Sequence, residues 1–251
     1  MAKNTPVFVF NSLDVVRGGL TKAVMTRANT FIKHYDEVVF LTLKFQRNFN
    51  EIKQALYDSG KLHKKIKLLN FFDEINSSGK GMRQKRRLKD PIFNIVENGY
   101  AVVEDEVPEE PSYRYYRNGI YEKYKRFDEN GHLLFVDFMN ESRHRYRRDE
   151  YNPGGALIRS RHTDLFTNKS RLDRYFDKDG KCHLSIWLNG NGEEKRTVYF
   201  GNEPVEYPTL YDAQTAWVEK SLRQSIIRWS CRIRAERISW SSIYAMKTSS
   251  G

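Results

Sequence analysis

Residues Val7 to Phe31 read VFVFNSLDVVRGGLTKAVMTRANTF. A four-residue apolar run stops at a polar loop, the loop closes on Gly18-Gly19, and a helical pattern starts at once. Leu20, Val24, Ala28, Phe31 and Ile32 recur at three- and four-residue steps, the period of one buried helix face. Strand, glycine-tight loop and helix in that order predict the opening of a nucleotide-handling α/β domain. A phosphate approaches backbone closely only where no side chain intervenes, and the first N–H groups of a helix point toward it. The alternative at Gly18-Gly19 is a tight turn with close helix–sheet packing and no ligand.

The same alternation continues to about residue 78. Val38 to Leu43 (VVFLTL) predicts a second buried strand. Asn50 to Ser59 predicts a helix with Asn50 as N-cap and Gly60 at its stop, and Ile66 to Leu69 a third strand running into a helix near Phe71 to Ile75. Strands alternating with helices imply a parallel sheet with crossover connections.

Beyond residue 80 the pattern changes. Lys80 to Lys89 (KGMRQKRRLK) carries Lys80, Arg83, Lys85, Arg86, Arg87 and Lys89 with no acid. From about Pro91 to Pro204 the helical period gives way to short alternating runs. Three of them follow turns ending in glycine: FDENG before LLFVDFM, YNPGG before ALIRS, and FDKDG before CHLSIWL. Asx-Gly turns between alternating runs signal hairpins, and their recurrence predicts an antiparallel meander with about two strands per repeat. Tyr207 to Leu222 reads as a helix returning to the α/β layer, and 225–251 as an irregular basic tail. The expected organisation is 1–80 Rossmann-like, 81–206 basic linker and meander, 207–224 returning helix, and 225–251 tail.

At 251 residues, 39% apolar and 14% aromatic, the chain has ample core without staples. Cys182 and Cys231 are too few for a disulfide framework, which fits a reduced, cytoplasmic protein. The start MAKNTPVFVF lacks the pattern of a signal peptide, and no run approaches the roughly 20 apolar residues of a membrane span. Any membrane contact is therefore expected to be peripheral, at the inner face. The net charge of +11 favours anionic partners, and residues from Ser221 onward supply +5 of it.

The order of these parts resembles the N-terminal half of GT-B fold retaining glycosyltransferases of the poly(glycerol-phosphate) α-glucosyltransferase type, which glycosylate wall teichoic acid. Related members glycosylate serine-rich surface proteins. The loop RGGLT, the helix with TRANTF, the segment NEIKQALYDSGKL and the inserted meander carry the resemblance, over roughly residues 5–222. It implies that Gly18 and Gly19 lie near the diphosphate and sugar of a nucleotide-sugar donor, expected to be UDP-linked. It also implies that the meander serves homo-oligomer assembly and the polymer acceptor. Family members continue into a second Rossmann-like domain with a Glu-rich donor motif that this sequence does not show. The resulting expectation is a fragment, truncated or frame-shifted near Ser225 and inactive alone.

Other readings stand beside this one. Lys80 to Lys89 is either a solvated linker or a rail for an anionic polymer. Arg143, Arg145, Arg147 and Arg148 either guard an edge strand or contact the same polymer. Tyr113, Tyr115, Tyr116, Tyr121 and Tyr124 read as cross-strand core pairs rather than base-stacking platforms. Histidines 34, 63, 132, 144, 162 and 183 show no metal-ligand spacing, and His132 and His183, just after turn glycines, read as exposed strand starts. No metal, resident cofactor or catalytic residue is assigned, and Asp14 reads as a loop cap in preference to a group that orients a substrate hydroxyl. The competing functions are a non-catalytic oligomerisation or partner-binding module and, more weakly, a nucleic-acid binder.

Overall fold

The computed structural model describes residues 5–16, 18–77 and 95–224. The basic run at 80–89 and the tail from 225 lie outside them. The first part is a three-stranded parallel sheet in the order β1-β2-β3, formed by Val7–Phe10, Val38–Thr42 and Ile66–Asn70. Two helices cross between the strands, α1 (Gly19–Phe31) and α2 (Phe49–Asp58). A third, α3 (Phe71–Ser77), continues directly from β3.

The core of this layer follows from the sequence pattern. Val38 and Phe40 of β2 and Ile66 and Leu68 of β3 meet Met25 and Ala28 of α1 and Phe49, Ile52 and Leu56 of α2. Phe8 and Phe10 close the cluster against the Phe40 ring, at centroid distances of 5.3 and 4.9 Å. The α2 cap lies two residues before the expected one. Asn48, not Asn50, stands at the cap, and no side chain caps the helix there. Gly60, at φ 69°, supplies the left-handed residue just past its end.

Ten strands form one antiparallel sheet in strict sequence order. They are β4 (Ala101–Glu104), β5 (Ser112–Arg117), β6 (Ile120–Phe127), β7 (Leu133–Met139), β8 (Arg145–Tyr151), β9 (Leu157–Thr163), β10 (Ser170–Phe176), β11 (Cys182–Leu188), β12 (Glu194–Phe200) and β13 (Pro204–Tyr207). One hairpin geometry repeats along it. At Asp128, Asn152, Asp177 and Asn189 a side-chain oxygen accepts backbone N–H bonds from within its own turn, and Gly131, Gly155, Gly180 and Gly192 three residues on take positive φ. A type I turn followed by a left-handed residue makes a bulge, with one strand gaining an unpaired residue beside the turn. Leu134, Ile158 and His183 are such extra residues: Phe127, Tyr151 and Phe176 pair with Leu133, Leu157 and Cys182, and the ladders resume two residues further along.

The two parts pack through α3 and a last helix, α4 (Leu210–Gln224). Phe71, Phe72 and Ile75 of α3 and Ala213 of α4 share a core with Tyr175, Leu184 and Ile186 of the meander. Arg47 donates to the Tyr151 carbonyl at 3.2 Å, and Gln214 to the Leu43 carbonyl at 2.9 Å.

Candidate functional site

The glycine loop leaves the C-terminal end of β1, the edge at which open α/β sheets take their ligands. Two neighbours and one local bond hold it. Leu13 is fully buried, and the Gln46 side chain clamps its backbone from both sides, accepting from its N–H at 3.2 Å and donating to its carbonyl at 2.7 Å. The Lys61 ammonium donates to the Val15 carbonyl at 2.8 Å. Asp14 accepts the N–H of Val15 at 2.7 Å, a local loop-capping bond.

The loop delivers the chain to α1 with Gly18 at the N-cap. Its backbone is extended (φ −77°, ψ 171°), no side chain caps the helix, and the first turn holds no acid. A Cβ added at Gly18 or Gly19 meets nothing within 4 Å. Neither position has the left-handed backbone that favours glycine. The fold therefore asks for glycine at neither site, for space or for backbone conformation. Among the described residues nothing stands within 4 Å of an added Cβ at either glycine, beside the N-terminus of α1, where partial positive charge favours an anion.

Next to this loop, the ends of β2 and β3 carry a buried polar brace absent from the sequence reading. Asn70 donates to Thr42 Oγ1 and to the Lys44 carbonyl, both at 2.9 Å, and accepts the N–H of Phe72 at 2.9 Å. Thr42 donates in turn to the Leu69 carbonyl at 3.2 Å. A polar residue closing an otherwise apolar strand is the one sequence signal that marks it. Asp73, one step further, has its carboxyl pushed up to about 6 by burial, then by Glu74, against the opposing pull of Lys53. It is the only carboxyl raised among the described residues, and it too was missed.

The meander arginines are placed differently from a free cationic rail. Arg148 grips Asp137 through two hydrogen bonds of 2.6 Å, and Arg145 approaches the same carboxylate at 3.5 Å. Arg147 lies 3.3 Å from Asp149 and stacks over the Phe138 ring at 3.9 Å. Across four strands, Asp137, Arg148, Arg161 and Asp173 form one cross-strand row, with Arg161 held by Asp173. Arg143 stands apart at the β7–β8 tip, exposed and at φ 62°.

The tyrosines sit in core and cross-strand pairs. Tyr115 is fully buried and donates to the Ile95 carbonyl, Tyr113 meets Phe127, and Tyr116 meets Tyr121. His132 is half-buried beside Asp128 at 2.9 Å. His183 corrects the expectation of an exposed strand start. It is 7% exposed, and burial pushes its imidazole down to about 4. His183 is the extra residue of its bulge, at a position where sister repeats place the half-buried Leu134 and Ile158.

Comparison with known proteins agrees with this architecture. The family model for glycosyl transferase 1 domain A matches residues 7–201. The chain is 27% identical over 198 residues to a poly(glycerol-phosphate) α-glucosyltransferase of Bacillus subtilis (strain 168), covering 75% of this chain and 28% of that protein. It is 22% identical over 219 residues to a poly(ribitol-phosphate) α-N-acetylglucosaminyltransferase of Staphylococcus aureus (strain COL), covering 86% and 43%. The chain thus spans less than half the length of either relative. Among solved structures, a variant of S. aureus TarM in complex with fondaparinux, α-GlcNAc-glycerol and UDP superposes with a TM-score of 0.69 at 21% identity, covering 87% of this chain and 43% of that one. A GtfA/B complex superposes at 0.61 with 11% identity, covering 87% and 41%. The shared fold is the N-terminal half of a GT-B glycosyltransferase, a Rossmann-like layer interrupted by an antiparallel meander. The chain belongs to the glycosyl transferase 1 domain A family.

Proposed function

We propose that this chain forms the acceptor-side half of a retaining hexosyltransferase that moves a sugar from a UDP-linked donor to a hydroxyl of an anionic wall polymer of the teichoic acid class. The observation that carries the reading is the open approach to α1 at Gly18 and Gly19, where the fold makes no demand of its own for glycine. The names of the relatives support the polymer class, and the UDP in a solved relative supports the donor. In this reading the loop faces the donor's diphosphate, and the meander handles the polymer and joins copies of the chain. Nucleotide sugars place the reaction on the cytoplasmic side.

Energy limits what the loop does alone. A helix N-terminus contributes about 0.3–1 kcal/mol toward an anion, whereas micromolar binding requires about 8 kcal/mol. The purified chain is therefore expected to bind UDP-glucose more weakly than micromolar by calorimetry. The decisive assay measures transfer from UDP-sugars to poly(glycerol phosphate), with this chain alone and with the product of the neighbouring reading frame. Activity confined to the mixture is the expected result. Activity in neither arm argues that the chain contributes no half of a working site.

One observation favours a second reading, an assembly module. The β4 edge exposes Ala101, Val103 and Glu104 as an apolar, barely charged strand. The opposite edge, β13, is blunted by Pro204 and Glu206. Light scattering on the whole chain tests it, with a mass above the monomer expected and a return to monomer in Val103→Lys.

A further inference from the structure

The hairpin tip joining β9 to β10 differs from the other tips of the meander. Those at 128–131, 152–155, 177–180 and 189–192 are built from Asp, Asn, Glu, Lys, Gly and Pro. This one, 164–168, reads Asp-Leu-Phe-Thr-Asn. Phe166 is 99% exposed and Leu165 45%, so two large apolar side chains stand in water at the end of the sheet.

Their presentation is rigid. The Asp164 carboxylate accepts the N–H groups of Phe166 and Thr167 at 3.0 and 2.9 Å, and Arg171 donates to it at 3.0 Å. Asn168 takes the left-handed conformation at φ 53° and donates its N–H to the Asp164 carbonyl at 2.9 Å. Lys169 ties the tip to the next hairpin through the Asn191 carbonyl at 3.0 Å. The kind of side-chain-to-backbone bonding that orders the polar tips therefore orders an apolar pair here.

The tip also points away from the α/β layer. In β8, β9 and β10 the residues touching that layer are Tyr151, Arg159 and Tyr175, all at the opposite strand ends. Around the tip stand Arg143, Lys169 and Arg171, all exposed, against Glu141 and Asp164, and Arg171 is paired with Asp164. A cleft of about 500 Å³ separates the tip from Arg143 and His144 on the neighbouring hairpin.

We propose that Leu165 and Phe166 are a wedge that anchors this protein on an anionic lipid bilayer, with Arg143 and Lys169 at the headgroups. Shape favours a bilayer over a protein. A stable protein interface buries about 800 Å² on each partner with complementary relief, and a convex two-residue tip ringed by Ser, Thr, Asn and Gly offers neither. A bilayer interface accepts a small apolar wedge without a matching pocket, and cations near its surface add to the binding. The inference stands independently of the donor and the acceptor proposed above.

The test uses the whole chain and vesicles of equal parts phosphatidylcholine and phosphatidylglycerol. Because both side chains are solvent-exposed, Leu165→Ser with Phe166→Ser is expected to leave the circular dichroism and melting of the protein unchanged. Vesicle partitioning should fall about tenfold or more, the loss expected for withdrawing a Phe and a Leu from an apolar phase. Phe166→Trp should emit at shorter wavelength on vesicles and be quenched by lipids brominated along the acyl chain. Equal partitioning of the parent and the double Ser variant would overturn the proposal, since the basic tail would then carry all binding. So would a change in oligomeric mass in that variant with no change in partitioning, which would make a second copy of the chain the occupant.

Discussion

His183 occupies in its hairpin the same extra position that Ile158 occupies one repeat earlier, each bulged out of register beside a turn. At this end of the sheet the position takes Leu134, Ile158 and His183, and at the other end Tyr146 and Lys195. Both ring nitrogens of His183 are buried without a hydrogen-bond partner.

Replacing it should therefore help. His183→Leu is expected to stabilise the protein by about 1–3 kcal/mol, the cost of an unsatisfied buried polar group, read from chemical denaturation near neutral pH. The gain should grow in acid. The folded value of about 4 lies below the ordinary 6.5, so protonation favours the unfolded chain, and the stability present above pH 6.5 is lost as pH falls toward 4. A gain that stays constant over that window would count against this account.

Asp73 works in the opposite direction. Its folded value of about 6 exceeds the ordinary 3.8, so the protonated form favours the fold, and stability is lost as pH rises from about 4 to 6. Asp73→Asn should raise stability at neutral pH by about 2 kcal/mol, taking the shift at 1.36 kcal/mol per unit less the help a helix N-terminus gives a carboxylate. The two groups oppose one another between pH 4 and 6. The parent should be nearly flat there, His183→Leu should lose stability with rising pH, and Asp73→Asn should gain it.

Arg143 fills a left-handed position that Gly131, Gly155, Gly180 and Gly192 fill in other hairpins. A side chain costs about 1–2 kcal/mol in that conformation. Arg143→Gly should raise the melting temperature, and Arg143→Val should lower it. If the parent outperforms the glycine variant in vesicle partitioning while being less stable, the arginine is retained for contact with headgroups.

Asp137 is 4% exposed and holds Arg148 and Arg145. Removing it takes the carboxylate from two half-buried arginines and breaks two charge-assisted hydrogen bonds, so Asp137→Ala should cost about 1–3 kcal/mol. Changing Asp137 to Leu together with Arg148 to Met should cost far less. Equal losses in the single and double variants would show that the pair is not the unit that matters.

Gly18→Ala and Gly19→Ala separate folding from function. With room for a Cβ at both positions, melting should shift by less than about 0.5 kcal/mol, the usual range of surface changes. Transfer activity in the reconstituted assay should fall. Unchanged turnover in both variants would leave the glycines with no ligand to accommodate.

Much of the fold was legible in the sequence because its signals are local. The period of VFVF followed by the α1 pattern, the glycine stop at Gly60 and the Asx-Gly turns each need only a few neighbouring residues to be read. The α2 cap was misplaced by two residues because Asn48 and Asn50 are equally good caps in isolation. The site was less legible. Gln46 and Lys61 reach Leu13 and Val15 across about thirty and forty-five positions of sequence, and nothing in the loop itself announces them.

The sequence by itself determined the alternation of strand and helix around Gly18-Gly19, the switch to a meander and the repeat of its turns. Those features are set by backbone conformation and short-range periodicity. Tertiary structure alone decided that Arg148 is spent on Asp137, that His183 is buried, and that Phe166 is not. Charge pairing and burial depend on which strands lie side by side and on a one-residue bulge that swings a side chain to another environment. The glycine loop belongs to both levels. Its residues promise an open helix N-terminus, and only its packing shows that the described residues leave space at both glycines.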